Sequence, residues 1–523
     1  MPKTIIMNRF KRIQIDYALL QSLVFYFVLA GLLIPHYQYQ IDPDGVSYIG
    51  IAQKYLRHDF GNAINGYWGP LFSWLLTPFL ATGTRPLLAA KLLAIIIGLV
   101  VIIQSNELIK IMQINQLFRT ILLYIIALFT IYCAFTETSP DLLLIFFALA
   151  FLNTVLSPAY QHSKYAGIQC GILGAGLYLT KSYGLPFFMA IFIITNLIFY
   201  LRTKDGQKRA IILRNFITGL AVCSLIAAGW IALLSDKYGR FTVSTSANYN
   251  HVVVGPKSLG HPMHIKGLLD PPNNTAISVW EDISYTKVSN WSVFDSIGSL
   301  IHQIKIALNN VGSIITKITQ FSVFSLIILS AAVVYLVKQG KRMVEDNLLY
   351  LLLTAAVLYS GYLMFLVEPR YIWLSYILIF VCGAKLLDIY SKKFQISKQL
   401  RTVLVVIFAA SFAVYPVQKL YSRRETGKEI YDLSNRLSYL NIEGRIASSG
   451  YWGKTLHLSF YNNWRYYGEK GQLTLKELET QFENKQINYY LVWKPFNEHE
   501  KLDRMYQEIT NGSIDELKVY KIK

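Results

Sequence analysis

The chain contains few charged residues for its length. Of its 523 residues only 15% are Asp, Glu, Lys or Arg, whereas 53% are hydrophobic and the mean hydropathy is +0.36. Because a soluble globular protein has about 25% charged residues, this composition excludes an ordinary soluble protein of several domains. Much of the chain must therefore lie in lipid, and its 36 Tyr and 9 Trp residues suit the two membrane interfaces.

Cysteine is scarce as well, with four residues in the whole chain. All four fall in or beside apolar segments, at no spacing typical of metal ligands, at positions Cys133, Cys170, Cys223 and Cys382. This pattern argues against a disulfide framework and against a zinc site. We interpret the four side chains as small buried hydrophobic groups.

Acidic residues are also in short supply. The chain has 31 Asp and Glu against 50 Lys and Arg, which gives a formal net charge of +19. Such an excess could indicate nucleic-acid binding, but the basic residues gather at the ends of apolar runs. That placement is typical of membrane topology, and no nucleic-acid partner is predicted.

Eleven apolar runs are long enough to cross a membrane, which takes about 17–25 residues in a helix. They lie near 17–35, 86–106, 118–135, 141–157, 166–181, 183–200, 213–234, 313–337, 347–366, 371–390 and 401–417. The basic segment from Met1 to Arg12 precedes a run without a small-residue cleavage site, so we predict a retained first helix. Lys and Arg gather in alternate short loops, which predicts a cytoplasmic N-terminus and an external C-terminus.

Three polar stretches then lie outside. The first, 36–85, contains two predicted interfacial helices at 44–60 and 70–79, and the second is the long turn-rich loop 235–312. The third is the tail, whose periodicity predicts helices at 426–440, 452–462 and 474–484 and strands at 444–449, 464–468, 487–494 and 516–522. We therefore predict an α-helical polytopic membrane domain over 1–417 and a small extracytoplasmic α/β domain over 418–523.

Ionisable side chains at the mouth of a helix bundle are costly to place, so they are functional candidates. Several stand at predicted outer helix ends, namely Asp42, Asp44, Glu137, Asp141, Lys181, Glu368 and Arg370. Carboxylates beside cations suit a phosphate-bearing substrate and the removal of a proton. The structural alternatives are a helix cap at Asp44, capping at Asp141, a Glu368–Arg370 lock and a snorkelling Lys181.

Together these residues resemble the GT-C superfamily of polytopic glycosyltransferases, in particular the bacterial branch related to aminoarabinose transferases and protein O-mannosyltransferases. The most specific part is Asp44-Gly45-Val46-Ser47-Tyr48, followed by Tyr67-Trp68-Gly69-Pro70. The Glu137/Asp141 pair, the Thr180-Lys181 step and Glu368-Pro369-Arg370-Tyr371 follow in the family's order. The resemblance covers about residues 15–390, and the tail is similar to the α/β domain of some members.

The resemblance implies a role for each of these residues. Asp44 matches the catalytic acid that deprotonates or orients the acceptor hydroxyl, with Asp42 as its nearest rival. Asp42, Glu137 and Asp141 match the second acidic motif or position the acceptor. Lys181 and Arg370 match positions that meet the donor phosphate, supported by Glu368 and Tyr371.

Family members often have two adjacent acids in the first motif, whereas Pro43 separates Asp42 from Asp44 here. The base assignment and the metal dependence therefore stay open. A divalent cation, Mg²⁺ or Mn²⁺, would be held by Asp44, Glu137 and Asp141, and no other cofactor is implied.

The resulting expectation is an inverting glycosyltransferase in a bacterial inner (cytoplasmic) membrane. It would move a sugar from a polyprenyl-phosphate donor to a lipid, glycan or protein acceptor on the outer face, with membrane lipids as further partners. The alternatives are a transporter or flippase for a lipid-linked glycan, and an O-antigen ligase-like or polymerase-like enzyme. The acids at outer helix ends, rather than at the membrane midplane, favour the transferase.

Overall fold

The computed structural model describes residues 16–258, 260–265, 267–286, 290–496 and 499–523. The basic segment from Met1 to Arg12 lies outside these described residues. The membrane domain contains seventeen α-helices within the described part of the chain: α1 (Tyr17–Tyr37), α2 (Pro43–Leu56), α3 (Phe60–Ala63), α4 (Pro70–Ala81), α5 (Pro86–Ile111), α6 (Gln116–Thr136), α7 (Asp141–Leu156), α8 (Ala166–Thr180), α9 (Gly184–Arg202), α10 (Gly206–Tyr238), α11 (Ser246–Val253), α12 (Pro262–Ile265), α13 (Ile297–Phe321), α14 (Phe324–Gln339), α15 (Asn347–Leu363), α16 (Trp373–Lys393) and α17 (Lys398–Arg423).

Each of the eleven predicted spans corresponds to a helix. In the described residues, eight helical segments are long and apolar enough to cross a membrane, and they contain α1, α5, α6, α9, α10, α14, α16 and α17. The shorter apolar helices α7, α8 and α15 account for the other three. The chain is therefore a polytopic integral membrane protein, as predicted. We call the helix ends that the topology prediction assigns to the outside the outer end of the bundle.

One predicted span has the wrong bounds. The run 313–337 is divided between α13 and α14, because Ser322 is extended (φ −162°, ψ 131°) and ends α13. The Ser322 hydroxyl hydrogen-bonds to the Ser411 hydroxyl of α17, which fixes the break. Asn310 of α13 donates to the Leu363 carbonyl at 2.9 Å, so α13 stays beside the outer end of α15. The span is α14 alone, and α13 is a separate helix.

The core of the membrane domain lies around α16. About 83% of its apolar window is buried, against 61% for α5, 67% for α6 and 22% for α1. A helix that is apolar on all sides is expected at the centre of a bundle, where its neighbours bury every face. Because α16 follows directly after Arg370 and Tyr371, the central helix also positions part of the candidate site.

The tail forms the predicted α/β domain. Its elements are α18 (Lys428–Leu437), β1 (Arg445–Ser448), α19 (Trp452–Asn462), β2 (Arg465–Glu469), α20 (Leu475–Lys485), β3 (Tyr489–Trp493), α21 (His499–Met505), β4 (Gln507–Glu508) and β5 (Leu517–Lys521). The strand order is β2-β1-β3-β5-β4, with β1, β2 and β3 parallel and β5 antiparallel to β3 and β4. The sequence predicted each of these elements except α21 and β4, which are short.

The edge strand β2 docks this domain onto the long outer loop. The Tyr466 amide donates to the Ile277 carbonyl at 2.7 Å, and the Leu269 amide donates to the Tyr467 carbonyl at 2.6 Å. An exposed sheet edge offers unpaired backbone groups, and here the loop satisfies them. The docking brings the start of α19 close to the outer end of the bundle.

Candidate active site

The N-terminus of α2 is capped by Asp42 rather than by Asp44. The Asp42 carboxylate accepts hydrogen bonds from the Gly45 amide at 2.8 Å and from the Thr138 amide at 2.7 Å. Asp42 is extended, as expected of a residue before proline (φ −127°, ψ 164°). Burial, together with the charges of Glu137 and Asp44, raises the pKa of Asp42 to about 7. The cap leaves Asp44 free of a capping role.

The two carboxylate oxygens of Asp44 face different surroundings. Oδ1 accepts a hydrogen bond from the Trp280 indole nitrogen at 3.1 Å. Oδ2 is paired with the Arg370 guanidinium. One oxygen therefore faces an aromatic environment and the other faces a cation.

Asp141 continues this network. Its Oδ1 lies 2.5 Å from Lys181 Nζ, and its Oδ2 lies 3.7 Å from Arg370 Nε. Oδ2 is buried, and within the described residues it has no hydrogen-bond partner. Lys181 Nζ also lies 4.0 Å from the centre of the Tyr371 ring, a cation–π contact. We call Asp44, Asp141, Lys181 and Arg370 the charge network.

Two close backbone approaches bring the parts of this network together. A Cβ on Gly69 would lie 2.3 Å from the Thr180 carbonyl oxygen, so only glycine allows the start of α4 to approach the residue before Lys181. A Cβ on Gly45 would lie 2.8 Å from Thr138 Cβ, next to the turn that precedes α7. Gly45 thus lets α2 approach the turn between α6 and α7, and Gly69 lets the start of α4 approach the end of α8.

Glu137 and Asp141 do not share a helix face, because the chain leaves α6 in an extended conformation at Glu137. Glu137 instead accepts from Arg423 of α17 at 2.8 Å, on a different side from Asp141. A second cation, Lys91, lies buried nearby and donates to the Phe135 carbonyl at 3.0 Å. Glu137 and Asp42 therefore belong to a neighbouring cluster with Arg423 and Lys91.

The suggested Glu368–Arg370 lock is wrong in this structure. Arg370 lies against Asp44 and Asp141, which come from α2 and α7. Glu368 directly precedes the short 3₁₀ turn Pro369–Ile372 without a capping hydrogen bond from its side chain, and burial raises its pKa. Arg370 pairs with these distant residues rather than with Glu368 because the turn directs its guanidinium across the outer end of the bundle.

The residues proposed as metal ligands do not form one donor set. Asp44 and Asp141 are matched by Arg370 and Lys181, whereas Glu137 is matched by Arg423. Among the described residues, no group of three or more His, Cys, Asp or Glu side chains is arranged to hold a metal ion. The carboxylates of the described residues therefore do not fit a divalent cation.

Trp280 is the site residue that the sequence did not reveal as such. It is the second residue of the 3₁₀ segment Val279–Tyr285 in the long outer loop, and its own carbonyl accepts from the Trp68 indole at 3.2 Å and the Ser47 hydroxyl at 3.2 Å. Next to it, Glu281 forms a buried ion pair with Lys54 of α2 at 2.7 Å. The Trp280-Glu281-Asp282 sequence stood out only as a polar turn, since the hydrogen-bond partners that link Trp280 to the first outer loop, Asp44, Ser47 and Trp68, are more than 200 residues away.

Aromatic rings extend from Trp280 to the α/β domain. The His261 ring lies 4.9 Å from Trp280 between centroids, and the Trp452 ring lies 5.9 Å from Trp280. Trp452 and His261 are parallel to within 8°. Burial lowers the pKa of His261 to about 4, so this ring is neutral at pH 7. We call Tyr67, Tyr249, His261, Trp280 and Trp452 the aromatic cluster.

No protein-family model and no curated protein matches the sequence. Solved structures do match. The oligosaccharyltransferase of Archaeoglobus fulgidus in its apo form aligns with a TM-score of 0.58 and 12% identity over 91% of this chain and 70% of that one. ArnT from Cupriavidus metallidurans bound to undecaprenyl phosphate aligns with a TM-score of 0.55 and 12% identity over 96% of this chain and 98% of that one.

The arabinofuranosyltransferase AftD from mycobacteria aligns with a TM-score of 0.50 and 12% identity, and this chain spans 40% of its length. At this level of identity the similarity reports the fold. The structural similarity extends through the α/β domain, because the matched region covers 91–96% of the chain. The fold expected from the motifs is confirmed, and the chain has the GT-C fold of these polytopic membrane glycosyltransferases.

Proposed function

We propose that this chain is an inverting glycosyltransferase that moves a sugar from a polyprenyl-phosphate donor to an acceptor hydroxyl on the outer face of the membrane. The observation that carries the proposal is the charge network, in which two carboxylates meet two cations at the mouth of the bundle. GT-C relatives of known structure support the donor class, because one is described with undecaprenyl phosphate and another with a dolichol-phosphate.

Lys181 and Arg370 are the partners for the donor phosphate. An arginine fork and a lysine point charge are the usual protein groups for a phosphate. About a fifth of each side chain is exposed, 21% for Lys181 and 18% for Arg370, so both are accessible from the mouth of the bundle. The phosphate oxygens would take hydrogen bonds that the carboxylates now receive.

Asp44 is the base of the reaction. The acceptor oxygen attacks the anomeric carbon while its proton passes to the Asp44 carboxylate. The bond between the anomeric carbon and the phosphate oxygen breaks, and the polyprenyl phosphate leaves with the additional negative charge. Arg370 and Lys181 stabilise that charge as it develops. Attack from the face opposite the leaving group inverts the configuration.

Donor binding and activation of the base are coupled through Arg370. Its guanidinium now pairs with Asp44 Oδ2. A bound phosphate competes for the same guanidinium, so Oδ2 is released when the donor arrives. Before the donor binds, the Asp44 carboxylate stays paired with Arg370 and is a weaker proton acceptor. Water that enters the empty site is therefore not activated by Asp44.

The donor class is tested with the purified full chain in lipid nanodiscs. Undecaprenyl phosphate carrying glucose, mannose or arabinose serves as donor, and the release of undecaprenyl phosphate is measured without added nucleotide. We expect turnover with at least one lipid-linked sugar. Turnover that requires a nucleotide sugar would overturn the proposed donor.

The outer location is tested by labelling single cysteines with an impermeant reagent on intact cells. The four native cysteines are buried, so they give a low background. Ser258 and Gln472 are exposed positions on the predicted outer side, and Lys204 is an exposed control position on the predicted cytoplasmic side. We expect Ser258→Cys and Gln472→Cys to react at once and Lys204→Cys only after permeabilisation. The reverse pattern would place the site in the cytoplasm.

A further inference from the structure

The side of Asp44 that faces away from the cations is lined by aromatic rings from four separate parts of the chain. They are Tyr67 of the first outer loop, Tyr249 and His261 of the long loop, Trp280 of its 3₁₀ segment and Trp452 of the α/β domain. Tyr67, His261 and Trp452 remain partly exposed. Rings that only filled a core would be expected to be enclosed on all sides.

Polar atoms accompany these rings at the domain border. The Trp452 indole donates to His264 Nε2 at 2.9 Å, and His264 Nδ1 lies 2.8 Å from Glu469 Oε1. About half of the His264 side chain is exposed, 49%, whereas 11% of the Glu469 side chain is. Partly exposed flat apolar faces beside a carboxylate are suited to a ring with apolar C–H faces and hydroxyl groups at its rim.

From this geometry we infer that the aromatic cluster is the acceptor subsite and that the acceptor is a saccharide, whose ring lies against Trp452 and His261. The inference rests on the proposed function and adds the class of acceptor. The two oxygens of Asp44 separate the substrates. Oδ2 faces Arg370 and the donor phosphate, whereas Oδ1 faces Trp280 and the acceptor.

Distances support this division. Trp280 contacts Asp44 through its indole nitrogen at 3.1 Å and Trp452 at 5.9 Å between ring centroids. A sugar ring beside Trp452 is therefore one indole away from the base, on its Oδ1 side. The α/β domain thus contributes a binding residue, Trp452, whose place at the site depends on the docking of β2 to the outer loop.

The test measures saccharide binding by the full chain in nanodiscs with saturation-transfer NMR. The probes are the tetrasaccharides of glucose, N-acetylglucosamine and mannose, with a serine- and threonine-containing peptide as the competing acceptor class. Undecaprenyl phosphate binding and donor cleavage are measured on the same samples. The variants are Trp452→Ala and Trp452→Phe, and the matched control is Tyr439→Ala, an aromatic in the same domain that is 86% exposed.

We expect the parent chain to bind at least one tetrasaccharide and Trp452→Ala to weaken this binding by about fivefold, which corresponds to about 1 kcal/mol. Trp452→Phe should retain most of the affinity, because it keeps an aromatic face and loses only the indole hydrogen bond. Tyr439→Ala should bind as the parent does. Undecaprenyl phosphate binding should be unchanged in all three variants.

Three results would each overturn the subsite: no tetrasaccharide bound by the parent, equal affinity in Trp452→Ala, or displacement of the saccharide by the peptide. Loss of undecaprenyl phosphate binding together with saccharide binding in Trp452→Ala would also overturn it, because Trp452 would then act through the fold. The proposed function fails separately, by absence of lipid-linked donor cleavage in a parent chain that binds saccharide.

Discussion

Helix α2 carries two ion pairs that differ in how completely their charges are enclosed. Near its C-terminal end, Lys54 pairs with Glu281 at 2.7 Å, and 5% of each side chain is exposed. Near its N-terminal end, Asp44 pairs with Arg370, with 14% and 18% exposed. The first is a closed pair and the second is an open one.

The neighbours of the two pairs explain the difference. Lys54 Nζ also approaches the Thr275 carbonyl at 3.4 Å, and Asn65 donates to the Glu281 carbonyl at 2.6 Å. These contacts fix the loop segment that contains Trp280. In the open pair, Arg370 instead also approaches Oδ2 of Asp141, an oxygen that has no hydrogen-bond partner among the described residues. The closed pair stabilises the position of the loop. The open pair can exchange partners, so its cation can bind a substrate phosphate and its carboxylate can accept a proton.

The difference between the two ion pairs is tested most directly by a substitution at Asp44. Asp44→Asn keeps nearly the same shape but removes the proton acceptor, so we expect turnover to fall by about 10²–10⁴-fold. The thermal midpoint should stay close to that of the parent, because Asp42 supplies the helix cap. Sugar transfer and thermal unfolding are measured on the same preparation. Turnover within a factor of a few of the parent would exclude Asp44 as the base.

The closed pair should show the opposite behaviour. Lys54→Met leaves Glu281 buried without its partner, which typically costs about 3–5 kcal/mol of stability. We expect a lower thermal midpoint in nanodiscs. The double variant Lys54→Met/Glu281→Leu should recover most of the loss, because apolar residues can replace a buried pair. An unchanged midpoint in the single variant would show that this pair does not hold the loop.

The cations of the charge network should affect use of the donor more than the fold. Lys181→Ala and Arg370→Lys each remove a charge-assisted contact to phosphate, and we expect the apparent donor affinity to fall by about 10- to 100-fold. Saccharide binding should be retained, since the acceptor side faces Trp280. Lys341→Ala, an exposed lysine at the opposite end of the bundle, is the control. Equal losses in the control would assign the effect to surface charge.

The smallest effect is expected at Asp42, in the neighbouring cluster. Asn caps a helix about as well as Asp, so Asp42→Asn should change turnover by less than about threefold. The raised pKa, about 7 against an ordinary 3.8, means that the folded chain holds a proton in this window that the unfolded chain has released. Stability should therefore fall as pH rises from about 4 to 7. The Asn variant should lose the part of this slope that Asp42 contributes, which thermal unfolding at a series of pH values measures.

The sequence by itself determined ten of the eleven apolar helices that the spans were predicted to form, and it missed the break at Ser322. Runs of apolar residues have no alternative to a helix in lipid, because every backbone group must be hydrogen-bonded within its own segment. The local pattern of the tail likewise predicted its principal strands and helices, and β1, β2 and β3 are each buried from their second residue onward. The charged residues at the outer helix ends could also be identified, and four of them form the charge network.

Only the tertiary structure decided which of these charges meet. Arg370 lies two residues after Glu368 in sequence but pairs with Asp44, because rotation of a helix about its axis is set by packing and not by its own sequence. The break at Ser322, the Trp280 contact with Asp44 and the approach of Trp452 are equally non-local. Each joins segments that are tens to hundreds of residues apart, so local patterns carry no record of them.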